Sequence, residues 1–479
     1  MDEYKKAIGQ NEEGLSALIT QYQIPDILPL AQDLPNETLL LTEKTTVTLS
    51  NIEISEKLFF VLLEKTKITI GERFSITKYV DSEDCIREHS MARETPFCLR
   101  DGAVSSLALE NIERMAPNSI GCSLKDIKLY NTGLINILPK LRINEDCEFE
   151  SLVVTASKEE HIAAILTQDK PFYVGRVKEM CLKNYAVSTL PKLRVHVIEF
   201  LKLVATEKEH VSTILAQDQK LCVGRVKEMK LEGYAVFVFL KMKETRENLE
   251  SLVLSISKDE LWRKMHGKIK KENIAICVEE VENLFLTEHA VNILPALKTK
   301  GEMDLFFLDA DTEDQVSEVL AKEYKGISFG GIKDFGLLGS AVNLLPKIRL
   351  KEDCEVEIYS LIAPEERQVS IVLGKEDRSI ATGRVKNMEL TGYAVCVLPK
   401  LRIHNDNTMG SFRLSAGELY FSRIPGEGDS SIELGRIEQK GFDVPKEIRR
   451  KLRYTLVDGE GKEILEEERS SSQRGTLFD

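Results

Sequence analysis

Val177-Lys-Glu-Met180-Cys-Leu182-Lys-Asn-Tyr185-Ala-Val187-Ser-Thr-Leu190-Pro191 sets apolar residues at positions one, four and six, and closes on a Leu-Pro pair. The stretch recurs. Val174-Gly-Arg-Val-Lys-Glu-Met180 returns as Val223-Gly-Arg-Val-Lys-Glu-Met229, and Gly383-Arg-Val-Lys-Asn-Met388 is a third copy. Leu-Pro-Lys-Leu-Arg begins at Leu138, Leu190 and Leu398, with variants at Leu294 and Leu345 and a degraded copy at Leu240. Self-similarity at a near-constant period is the mark of a stacked array, in which a unit cannot bury its apolar face alone.

Each period splits into a short and a long unit, and both open with the same apolar-x-x-apolar-x-apolar phrase. Short units start near Leu124, Val177, Val226, Val281, Ile332 and Val385; long units start near Phe149, Ile198, Leu249, Met303, Val356 and Met409. Val104-x-x-Leu107-x-Leu109 reads as one more, and Thr46–Leu49 and Lys67–Ile70 as worn copies. The opening phrase alternates as a strand does. The long units then change to helical spacing, as at Ile162, Ile165 and Leu166. Ser157 with Glu160, Thr206 with Glu209, Ser257 with Glu260, and Thr312 with Gln315 fit capping boxes at those helix starts. The short units carry Pro139, Pro191, Pro295, Pro346 and Pro399 instead, which predicts extended or one-turn returns.

In these units the chain resembles the leucine-rich-repeat family, whose repeats read LxxLxLxxNxL. The resemblance spans roughly Thr46 to Ser415. It implies an α/β solenoid: a curved horseshoe with a parallel sheet on the concave face and helices on the convex face. It departs from the family at the ninth position, where asparagine gives way to Thr132, Tyr185, Tyr234, His289, Ser340 and Tyr393. The expected organisation is a helical N-terminal cap over 1–45 with an apolar run at Leu15–Ile19, repeats over 46–415, a C-terminal cap over 416–462, and a disordered tail over 463–479.

The chain has 479 residues, a net charge of −13 and nine scattered cysteines without metal-ligand spacing. The acidic balance argues against a nucleic-acid partner. Reduced thiols, together with the absence of a leader-like or membrane-spanning apolar run, predict a cytoplasmic or nuclear protein that does not use a membrane. No phosphate-binding loop, HExxH, GxSxG or EF-hand phrase occurs. The expectation is therefore no enzyme and no cofactor. His161 and His210 share one repeat position and read as structural. Cys181 falls on an outward strand position, which predicts an accessible thiol. Trp262 lies in an irregular stretch and reads as core, and Gly330-Gly331 reads as a turn.

The outward positions carry the functional expectation. Position two of successive units reads Lys125, Glu150, Lys178, Glu199, Lys227, Glu250, Glu282, Asp304, Lys333, Glu357 and Lys386. Strands about 4.8 Å apart make this a self-neutralising ladder. The alternation fails at Glu250, Glu282 and Asp304, where outward Phe285, Leu305 and Phe307 also appear. Charge-rimmed aromatic clusters mark partner sites. These six residues are the candidate contact for another protein with a basic surface. The bland alternative is that an insertion or the tail folds over the cluster, and Arg263–Lys271, a basic stretch nearby in sequence, could neutralise the acids. The functional expectation is an intracellular protein–protein interaction scaffold using the concave repeat surface. The alternative is a regulatory or ligand-sensing subunit that controls a separate catalytic or nucleotide-binding partner.

Overall fold

The computed structural model describes residues 25–32, 39–80, 84–89, 96–100, 104–143, 147–242, 249–272, 276–278, 281–299, 301–321, 327–351, 353–404, 406–417, 420 and 432–464. The chain is α/β with a large parallel sheet of 14 strands. It divides into two compact units, one formed by 1–226 with 241–245 and the other by 227–240 with 246–479.

In the first unit the sheet strands are β1 (Phe97–Arg100), β2 (Leu124–Tyr130), β3 (Glu148–Ala156), β4 (Phe172–Asn184) and β5 (Leu193–Ala205). They pair in parallel in chain order. The second unit carries β6 (Arg225–Gly233), β7 (Ser251–Ile256), β8 (Asn283–Glu288), β9 (Glu302–Ala310), β10 (Gly331–Gly339), β11 (Glu355–Ala363), β12 (Arg384–Gly392), β13 (Ser411–Ser415) and β14 (Phe442–Asp443). These too pair in parallel in chain order. Parallel neighbours require a crossover between them, and the crossovers alternate as the short and long units predict.

After β2, β4, β8, β10 and β12 comes an eight-residue 3-10 helix: Gly133–Lys140, Tyr185–Lys192, His289–Ala296, Ser340–Lys347 and Tyr393–Lys400. These returns are longer than the expected single turn. Each keeps its proline at the penultimate residue, where the tighter 3-10 winding is about to end. After β3, β5, β9 and β11 a short 3-10 turn runs into one turn of α-helix, as in Glu159–Ile162 with Ala163–Leu166. After β7 the return is a full α-helix, Asp259–Glu272, so Trp262 lies in regular structure rather than an irregular stretch. Trp262 is 4% exposed and stacks on His266, consistent with core packing.

Two local readings are corrected. Val104, Leu107 and Leu109 do not form a repeat strand; Ser106–Arg114 is a helix capped by the Ser105 hydroxyl. An i, i+3 pair fits either periodicity, and the Ser105 cap decides for helix. The described part of 1–45 contains a strand, Ile27–Leu30, paired in parallel with Thr46–Leu49, which pairs with Lys67–Ile70. Residues 1–24 and 33–38 of the expected N-terminal helical cap, which include Leu15–Ile19, and the tail from 465 onward lie outside the described residues. Within 416–462, β14 extends the parallel pairing beyond β13.

The capping boxes form at a shifted register. Thr312 and Gln315 form one as expected. Elsewhere Glu207 pairs with His210, one residue later than the expected Thr206 box, Glu365 pairs with Gln368 where no box was expected, and the turn at Lys158 has no side-chain cap. The helix at Asp259 carries no described box at Ser257 and Glu260. His210 is thus structural. It is buried, and its Nδ1 accepts the Glu207 N–H at 3.2 Å. Burial holds the pKa of both His210 and His161 below the usual value.

The absent ninth-position asparagine has two replacements. The preceding residue takes positive φ at Asn131, Asn184, Gly233, Glu288, Gly339 and Gly392, turning the strand into its return. At Gly339 a Cβ would meet the Ala310 carbonyl oxygen at 2.3 Å, so a larger residue there would force the neighbouring backbone to shift. Asparagine reappears two residues before the Leu-Pro pair. Asn343, fully buried, donates to the Arg367 carbonyl and accepts from Ile371 N–H, each at 2.9 Å. Asn292 bridges Asp314 and Glu318 in the same way, and Asn136 bridges Glu160 and Ala164.

The core lies behind the sheet, between strands and returns. In the second unit its centre is aromatic. Phe306 stacks on Phe335 at 5.8 Å and Phe335 on Tyr359 at 5.1 Å. Each contributes about 1.5–3 kcal/mol by burial.

Candidate protein-binding face of the sheet

The opposite face of the sheet is built from the positions that the apolar phrase leaves over. All eleven residues of the charged row, Lys125 through Lys386, are exposed. Opposite charges meet along it, with Lys125 and Glu150 at 3.3 Å and Lys333 and Asp304 at 2.5 Å. Glu250, Glu282 and Asp304 stand on consecutive strands. The Asn283 N–H reaches the Glu250 carbonyl, and the Asp304 N–H reaches that of Glu282.

Two rows further along β7–β11, the register aligns Val253, Phe285, Phe307, Gly336 and Ser360. Phe285 and Phe307 are half-buried, with ring centroids 6.1 Å apart and planes at 50°. Between the charged row and these rings run Asn283, Leu305, Asp334 and Ile358. Ile358 is 46% exposed and adds apolar surface to this row. Beyond the rings, Thr287, Asp309, Leu338 and Ile362 share a row. The structure therefore brings Phe285, Leu305 and Phe307 together as one apolar surface and lines its edge with Glu250, Glu282 and Asp304.

Sequence reasoning passed over two acids here, although the same alternation marks them as outward. Asp309 is held above the usual carboxylate range by burial, and then by the charges of Asp311 and Glu288. Asp334 is raised by burial and by Glu357 and Asp304, against a backbone hydrogen bond from Ile358 and the charge of Lys333. Gly336 was also missed. A Cβ there would lie 2.5 Å from Phe307 Cδ2, so the ring occupies the space that the glycine leaves open.

Four members of the basic stretch Arg263–Lys271 are engaged elsewhere. Arg263 pairs with Asp259 and Lys264 with Glu260 along its own helix, and His266 and Lys270 meet Glu318. Cys181 is 6% exposed, contrary to the accessible thiol expected, although it stands on the outward row beside Val153 and Lys202. The side chains on neighbouring strands cover so small a residue. Among the described residues no three His, Cys, Asp or Glu side chains converge as a metal-binding group. No described helix is long and apolar enough to cross a membrane. No family model, curated protein or solved structure matches the chain.

Proposed function

We infer that the chain is a leucine-rich-repeat solenoid that acts as an intracellular protein–protein interaction scaffold, taking a basic partner on the open face of β7–β11. The single observation that carries this reading is the Phe285–Phe307 pair, half-buried on the sheet face away from the core and edged by consecutive acids. Aromatic anchors inside a polar rim concentrate binding energy, often about 2 kcal/mol or more per anchor. Acids at the rim speed the approach of a basic partner and make its association salt-sensitive. The in-phase strands, returns and asparagine bridges support the solenoid part of the reading.

The experiment replaces Phe307 with a photo-crosslinking phenylalanine analogue, identifies the protein crosslinked in cells, and measures its affinity for the purified chain. Phe285→Ala and Phe307→Ala should keep the thermal midpoint close to wild type while weakening that affinity by about thirtyfold each, the equivalent of 2 kcal/mol. Unfolding of both variants would place the rings in the core and overturn the reading. Well-folded variants that bind unchanged would overturn it as well.

A further inference from the structure

The C-terminal part of the second unit holds a small parallel sheet of Thr408–Met409, Ile432–Glu438 and Leu452–Val457. A cavity of about 760 Å³ opens against it. Its charged wall is Arg436, Arg449, Arg450 and Arg453, with His404 and Glu433 beside them. In a chain of net charge −13, this concentration of guanidinium groups runs against the overall balance.

The register explains the gathering. Glu433 lies opposite Arg453, and then the pairing slips, so that Gly435 faces Tyr454 and Arg436 faces Thr455. Such a bulge re-aims the side chains that follow it. Gly435 absorbs it at φ +76, where a Cβ would stand 2.8 Å from the Asn407 carbonyl oxygen. Arg436 and Arg453 consequently line one cavity.

Two of the guanidinium groups are anchored. Arg436 Nη2 donates to the Gly461 carbonyl at 2.8 Å. Arg449 Nε donates to the Val444 carbonyl at 2.9 Å and lies 5.3 Å from the Phe442 ring centre. A guanidinium held by one N–H keeps further donors for a ligand, and its planar fork matches phosphate oxygens. Glu433 is paired with Arg378 at 3.4 Å, which offsets its repulsion of an anion.

We propose that this cavity binds a small soluble oligophosphate anion through Arg436, Arg449 and Arg453. The volume falls within the range of about 300–1,000 Å³ typical of small-molecule sites. A single phosphate leaves most of the positive wall uncompensated, whereas linked phosphates spread several charges across it. The site is separate in sequence and chemistry from the acid-rimmed aromatic face.

The test is calorimetric titration of the full chain with inorganic tripolyphosphate and with orthophosphate, at matched ionic strength. Saturable one-to-one binding is expected, with tripolyphosphate at least tenfold tighter than orthophosphate. Arg436→Gln with Arg453→Gln, both exposed positions, should weaken it at least tenfold and leave the thermal midpoint of the unliganded protein unchanged. Lys178→Gln, in the other unit, serves as the charge-loss control and should bind as wild type. No saturable binding at millimolar tripolyphosphate overturns the proposal. So does binding that survives the double variant, or an equal loss in the Lys178 control, which would mark diffuse attraction. If the double variant fails to fold, Arg453→Lys keeps the charge but removes the fork, and an undiminished affinity there overturns the bidentate reading.

Discussion

Phe307 rests its ring over Gly336 on the next strand, where an added Cβ would come within 2.5 Å of Cδ2. The glycine backbone is not in the left-handed region, so alanine fits the strand and only the ring must move. Gly336→Ala should therefore retain wild-type stability to within about 1 kcal/mol. It should also weaken partner binding in the same direction as Phe307→Ala. Equal stability with unchanged affinity would show that the ring's placement does not govern binding.

Asn343 spends both ends of its amide on backbone groups and is fully buried. Asn343→Ala orphans the Arg367 carbonyl and the Ile371 N–H together. Urea denaturation should show a loss of about 2–4 kcal/mol. The half-buried Asn136 should cost less when replaced in the same way. An inverted order would mean that burial does not set the strength of these bridges.

Tyr359 is fully buried with no hydrogen-bond partner for its hydroxyl among the described residues, and burial raises its pKa. The ring does the work, stacked on Phe335. Tyr359→Phe removes an unsatisfied polar atom and keeps the stack, so stability should rise by about 1 kcal/mol. A loss of that size in equilibrium unfolding would reveal a partner, such as an enclosed water.

Asp309 titrates above the usual value because burial, Asp311 and Glu288 all disfavour its anion. Its folded pKa exceeds the unfolded one. The folded state therefore binds the extra proton between the two, and stability falls as pH rises through that window. Asp309→Asn should be more stable than wild type at neutral pH, and the difference should vanish below about 3.8, the ordinary aspartate value. Unfolding midpoints measured across pH check this; parallel curves for the two proteins would refute it.

The candidate face was readable in the sequence only where a residue's position in its own strand decides its side. Phe285 and Phe307 could be assigned outward because strand alternation is strict. Gly336 carried no such message, since its role depends on a ring from the neighbouring strand. The caps at Glu207 and Glu365 were misread by one residue or missed. A Ser/Thr-x-x-Glu search does not recognise glutamate with histidine or glutamine as the same exchange. The arginine cavity was not read because it joins Arg436 to Arg449 and Arg453 across two segments whose pairing slips at a bulge.

Local periodicity, by itself, determined the repeating strand and return, their alternation of short and long, and the side of the sheet each residue takes. Those properties follow from the geometry of a few consecutive residues. Tertiary structure decided what stands next to what: Phe307 over Gly336, the asparagine bridges across units, the full helix at Asp259–Glu272, and the gathering of Arg436 with Arg453. These depend on register between separate segments, which is set by packing among neighbouring strands and returns, and no single strand with its return contains that information.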